Sequence, residues 1–104
     1  MNRDSIAPEE LSTSGGSLKV FDIRKSPDNE KIPGSIVADG TELERGTELP
    51  FTKTEDVVLY CGSGNSCSRI AKVLRNRGYR TRALEGGYRA WVDAGLPTEP
   101  RGPS

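Results

Sequence analysis

Apolar residues in this chain fall into short clusters separated by polar stretches bearing Gly and Pro, and the clusters differ in period. Lys19-Val20-Phe21-Asp22-Ile23 is a compact apolar run broken by one acid, which predicts a buried strand. Ser35-Ile36-Val37-Ala38 predicts a second short strand, and Thr81 to Leu84 another. Val57-Val58-Leu59-Tyr60 is apolar on both faces and β-branched, the pattern of a central parallel strand covered on both sides. Helical stretches lie between them. Pro8-Glu9-Glu10-Leu11 predicts a short turn with Pro early and acids at the positive end of the helix dipole. Thr41 to Arg45 predicts one more turn, with Thr41 as N-cap. Beyond Cys61 to Ser66, residues Ile70, Val73, Leu74 and the stem of Arg77 form one stripe, leaving Lys72, Arg75 and Asn76 outside; Gly78 ends this helix. Tyr88 to Ala94 predicts a last helix carrying Trp91, stopped by Gly95 and Pro97. Ser12 to Ser17 and Pro27 to Pro33 read as connections, and Glu99 to Ser104 as a loose tail. Strands alternating with helices predict an α/β domain with a mainly parallel sheet. We expect one domain over residues 1–104, its core at about 8–97, with no internal repeat.

Composition sharpens this by exclusion. The 104 residues include no histidine, so no Ser–His or Cys–His dyad and no His-ligated metal site is available. Two cysteines are too few for a four-Cys zinc or iron–sulfur site, or for a scaffold of several disulfides. No metal site and no cofactor are expected. The chain opens on polar residues, and its longest strongly apolar run, Val57 to Cys61, is far too short to span a membrane, so the expected setting is the reducing cytoplasm. Formal net charge is zero, which argues against a nucleic-acid or membrane surface. The balance conceals an asymmetry. Residues 1–56 carry 7 basic and 12 acidic side chains, and residues 57–104 carry 8 and 3. An anion, if one is handled, is expected at the second half.

Candidate chemistry concentrates in Cys61-Gly62-Ser63-Gly64-Asn65-Ser66, with Cys67 following, between a buried strand and a helix. In open α/β sheets, ligands bind beyond the carboxyl ends of the strands, where Cys61 lies. Gly62 and Gly64 let the backbone curl and turn successive N–H groups inward, and such a nest beside a helix N-terminus holds anions. A thiol at its mouth is stabilised as thiolate without any histidine.

Four segments in this order resemble the rhodanese-like sulfurtransferases, over about Pro8 to Pro97. Val20-Phe21-Asp22-Ile23-Arg24 is similar to the family's Asp-x-Arg strand, and Ile32-Pro33-Gly34-Ser35-Ile36 to its Ile-Pro-Gly-Ala segment. Val57 to Ser66 resembles its active-site strand and loop. Leu84-Glu85-Gly86-Gly87, with Ala90-Trp91, Gly95 and Pro97, resembles its C-terminal signature. The resemblance implies a three-layer α/β/α domain around a mainly parallel sheet of about five short strands. It also implies sulfane sulfur transfer: Cys61 attacks a donor such as thiosulfate or a low-molecular-weight persulfide, becomes a persulfide, and passes the outer sulfur to a thiol or cyanide. Gly62, Ser63, Gly64, Asn65, Ser66 and Cys67 would surround that sulfur, with Asp22, Arg24 and Arg69 as site support. A protein partner in a sulfur relay is a further expectation.

The loop departs from the family pattern at several positions. Gly62 stands where Arg is frequent, Ser66 where Arg or a hydroxyl residue is, and Lys31 where His is frequent; the segment from Asp22 to Pro33 is two residues short. Ser66 reads as a helix N-cap. Positive charge is then expected from Arg69, Lys72 or Arg24. A phosphatase loop, in contrast, needs Cys, five intervening residues and Arg, and Cys67 occupies that last position. Plainer readings hold elsewhere. Cys67 reads as a small residue in the first helical turn rather than a resolving thiol, and Asp22 with Arg24 as an ion pair anchoring loops. Tyr88 and Trp91 read as packing. Gly86-Gly87 reads as a turn, with a place at the pocket mouth as the alternative. Arg75, Arg77, Arg80 and Arg82 read as a solvated basic surface. A non-catalytic or relay module that binds a protein partner or accepts sulfur from it is the second functional reading.

Overall fold

The computed structural model describes residues 4–14, 16–25, 29–46 and 48–101. A five-stranded sheet forms the middle layer. Its strands are β1 (Ser5–Ile6), β2 (Lys19–Asp22), β4 (Ile36–Val37), β5 (Asp56–Tyr60) and β6 (Arg80–Leu84), in the order β1-β6-β5-β2-β4. All of its pairings are parallel, and β5 is central as its pattern predicts.

Alternation along β5 sorts the core into two layers. Val57, Leu59 and Cys61 join Phe21, Leu43, Ile70, Ala71 and Leu74 on the side of helices α2 (Gly40–Arg45) and α3 (Asn65–Asn76). Val58 and Tyr60 join Leu11, Val20, Leu84, Tyr88 and Trp91 on the side of α1 (Pro8–Ser12) and α4 (Gly87–Asp93). This is a three-layer α/β/α domain. No helix of the described residues is long and apolar enough to cross a membrane.

Several local expectations are revised. The buried stripe of α3 is Cys67, Ile70, Ala71 and Leu74, at i, i+3, i+4 and i+7. Val73 sits at its margin and Arg77 outside it, reaching the Glu44 carbonyl (2.6 Å). The cap of α2 is Asp39, whose carboxylate accepts from the N–H groups of Thr41 and Glu42; Thr41 is already inside the helix. Glu99 is not part of a loose tail. Strand β7 (Glu99–Pro100) pairs antiparallel with β3 (Glu30–Lys31), and the Arg101 N–H donates to the Asn29 carbonyl (2.9 Å). Residues 102–104 of that expected tail, and the beginning of the turn from Pro27, lie outside the described residues.

Part of the charge asymmetry is consumed within the fold. Arg69 pairs with Glu44 and Arg75 with Asp4, basic second half against acidic first half. Arg75 also donates to the Thr81 carbonyl and Arg80 to the Thr54 carbonyl. Three of the four arginines read as a solvated surface therefore staple backbone segments together.

Candidate active site

The site forms where β5 ends. Cys61 follows the central strand directly, 6% exposed, and the chain turns through Gly62, Ser63 and Gly64 into α3. Gly64 is the N-cap of α3, in the left-handed region at φ +99°, and it supplies no side-chain cap. The Cys61 sulfur does so instead. Cys61 Sγ accepts from the N–H groups of Gly64 (3.1 Å) and Cys67 (3.4 Å), the latter a first-turn amide with no intrahelical acceptor. This displaces Ser66 from its expected role as cap; it is the second residue of the helix, exposed, beside exposed Asn65.

Two loop carbonyls are held from outside. The Tyr88 N–H donates to the Cys61 carbonyl (2.7 Å), and the Arg89 N–H to the Gly62 carbonyl (3.1 Å). Gly87 makes this approach sterically feasible. At φ +64°, a Cβ on it would lie 2.5 Å from the Cys61 oxygen and 2.7 Å from the Gly64 nitrogen. Gly86-Gly87 is thus both the turn into α4 and the floor of the loop, a role the sequence signals by its paired glycines alone. Sequence reasoning missed Ser68 altogether: its Oγ donates to the Gly64 carbonyl (2.6 Å) and fixes the loop's last peptide.

Electrostatics follow from the donors. A hydrogen bond from the Cys67 side chain, and then the backbone N–H groups of Cys67, Gly64 and Ser66, hold the Cys61 thiol well below the ordinary thiol value against the opposing cost of burial. Cys67, completely buried, is raised by its bond to Cys61 and by desolvation. At neutral pH, Cys61 is the thiolate of the pair.

Two of the expected supporting cations, Arg24 and Arg69, are engaged elsewhere, and Lys72 is exposed on α3. Arg24 makes a bidentate pair with the buried Asp22 carboxylate, donates to the Glu30 carbonyl, and lies over the Tyr88 ring at 4.0 Å. Arg101 reaches the same carboxylate at 3.5 Å. Arg69 pairs with Glu44 at 2.5 Å. Asp22 and Arg24 therefore brace the site through Tyr88, the anchoring role read for them. Tyr60, stacked on Tyr88, bonds through its hydroxyl to the Ile32 N–H (3.2 Å) and Ser35 Oγ (2.9 Å), fixing the Ile32–Ser35 segment to the sheet.

The comparisons with known proteins point to one family. The family profile of the rhodanese-like domain matches residues 7–94. A curated relative from Allochromatium vinosum named sulfurtransferase is 43% identical over 54 residues, covering 51% of this chain and 49% of its own. A tRNA sulfurtransferase of Desulfurococcus amylolyticus is 30% identical over 90 residues, covering 82% of this chain and 18% of its own. The chain spans half or less of the length of these relatives. Among solved structures, a rhodanese-like domain from Anabaena superposes with a TM-score of 0.80 at 21% identity, covering 100% of this chain and 86% of that one. A thiosulfate sulfurtransferase from Pseudomonas aeruginosa gives 0.74 at 32% identity, covering 95% of this chain and 20% of that one.

Proposed function

The chain belongs to the rhodanese-like domain family, and from that membership we propose a sulfurtransferase that carries sulfane sulfur on Cys61. The observation that supports this reading most is the thiolate cradle, with two backbone N–H groups on Cys61 Sγ at 3.1 and 3.4 Å at the end of the central strand. The thiolate attacks the outer sulfur of a donor R–S–S⁻ or of thiosulfate. The donor's S–S bond breaks, R–S⁻ or sulfite leaves with the bonding pair, and Cys61 holds a persulfide. The added sulfur extends from Sγ past exposed Gly62 and Ser63, where an acceptor thiolate attacks it and Cys61 leaves as thiolate. Backbone dipoles fixed by folding stabilise the charged sulfur at each stage without reorganising. No residue of this scheme requires a cofactor.

Donor class follows from charge. Arg24 and Arg69 are engaged by carboxylates, and Gly62 brings no side chain, so the cradle suits a singly charged persulfide better than dianionic thiosulfate. The same observation favours, as second reading, a relay module that takes sulfur from a protein persulfide. Sulfur transfer from glutathione persulfide to cyanide, followed as thiocyanate, tests the proposal. Cys61→Ser is expected to abolish it; thiocyanate formation that survives in that variant would sink the assignment.

A further inference from the structure

The second thiol of the site has no part in that scheme, although its amide donates to Cys61 Sγ at 3.4 Å. Both sulfurs belong to the same buried cluster, between the end of β5 and the first turn of α3. We propose that Cys67 is a resolving thiol, which attacks Cys61 Sγ when Cys61 carries a leaving group and closes a Cys61–Cys67 disulfide. With a persulfide, the Cys67 Sγ–Cys61 Sγ bond forms and the bond from Cys61 Sγ to the outer sulfur breaks. The outer sulfur is reduced and departs as hydrosulfide with the proton from Cys67, while the two cysteine sulfurs are oxidised to the disulfide. With a sulfenic acid, formed on Cys61 by hydrogen peroxide, the same attack expels water. A low-molecular-weight thiol restores both cysteines by exchange. The persulfide branch rests on the sulfur-carrier reading above, and the peroxide branch does not.

Three features of the site carry this inference. First, access is confined. Cys67 has no exposed surface, so a reagent in solution reaches it only through what Cys61 holds. Second, the thiol is lightly held. Its S–H donates to the Gly64 carbonyl at 3.4 Å, a weak bond, and that oxygen keeps the Ser68 hydroxyl (2.6 Å) and the Ser68 N–H (3.3 Å) when the thiol turns away. Third, the pair is quiet at rest. A thiolate at Cys61 holds Cys67 protonated, and loading Cys61 moves the negative charge one atom outward, away from the Cys67 sulfur. The attack therefore has a target only in the loaded enzyme, where the Cys61 charge holds Cys67 protonated less strongly while its burial persists. An acceptor thiol competes with it, so Cys67 discharges the persulfide that no acceptor collects.

The test uses the 104-residue chain, loaded with inorganic polysulfide, desalted, and followed by intact mass without acceptor. In the wild type, a species heavier by one sulfur is expected to convert to one lighter by two hydrogens, with one hydrosulfide released per chain. The rate should not depend on protein concentration. Cys67→Ala and Cys67→Ser should both keep the added sulfur. A parallel sample treated with hydrogen peroxide should lose two hydrogens in the wild type and gain oxygen in either variant. Equal persistence of the added sulfur in all three proteins, or wild type that gains oxygen without losing hydrogens, would overturn the proposal. If polysulfide loads none of them, the carrier reading of Cys61 falls, and the peroxide arm alone decides for or against Cys67.

Discussion

A single sulfur atom organises the site. Cys61 Sγ caps α3 in place of a side chain, so the sequence position that would normally hold Ser, Thr or Asp is free to be Gly64. That substitution of a nucleophile for a cap was not legible in the sequence, where Ser66 was the conspicuous capping residue. The cysteine itself was legible, because its place after a doubly apolar strand and before two glycines leaves few other roles. In the proposed reading, Gly62 is the position that leaves the loop without a charge for the donor. Its backbone is outside the left-handed region, and a Cβ there would meet nothing within 4 Å, so a long side chain fits. Gly62→Arg should therefore fold normally and lower the KM for thiosulfate, while leaving the KM for a singly charged persulfide nearly unchanged. Initial-rate measurements with both donors check this. An unchanged thiosulfate KM would mean that missing charge does not limit its use.

Between elements, the site depends on how closely α4 approaches the loop. Its amides at 88 and 89 hold the carbonyls of Cys61 and Gly62, and the approach is open only because Gly87 lacks a side chain. Gly87→Ala would force a methyl group into three backbone atoms closer than 3 Å, in a left-handed conformation that alanine disfavours. We expect transfer activity to fall about 100-fold, as for a displacement of roughly 1 Å at a reacting centre. Gly86→Ala, also left-handed at φ +71°, would crowd Ala90 Cβ at 2.5 Å within α4 but no atom of the Cys61 loop, and serves as the comparison for backbone strain alone. A Gly87→Ala enzyme of full activity would disprove the close-packing account. Long elements with strong periodicity were predictable in place, β5 to within a residue and α3 to within about two, although part of the α3 stripe was not. The two-residue strands β1, β3 and β7 were not. Ser5–Ile6, Glu30–Lys31 and Glu99–Pro100 have no pattern of their own, and pairing with distant partners makes them strands.

Over the whole molecule, one buried carboxylate ties the sheet to the chain's far end. Asp22 closes β2, binds Arg24 in two-pronged fashion, and receives Arg101 from beyond β7, while Arg24 covers Tyr88 at the start of α4. Burial works against its charge, but the bonds from Arg24 prevail, and the carboxyl titrates below its ordinary value. The stabilisation is thus complete above the unfolded carboxyl value of about 3.9 and is lost as the pH falls through the lower, folded value. Asp22→Asn removes the buried carboxylate that Arg24 and Arg101 share and should cost about 3 kcal/mol at neutral pH. Urea unfolding at neutral and acid pH checks both statements, and the variant's deficit should shrink toward the acid end. The Asp-x-Arg spacing announced the pair; the third partner came from a segment that reads as a tail. The central claim, that Cys61 is the atom on which sulfur travels, is tested most directly by mass spectrometry. The protein would be exposed briefly to glutathione persulfide and thiosulfate in parallel, alkylated at once, and mapped by peptide. One added sulfur on the peptide bearing Cys61, from the persulfide more readily than from thiosulfate, is the predicted result. No added sulfur from either donor, or sulfur retained after Cys61→Ser, would contradict it.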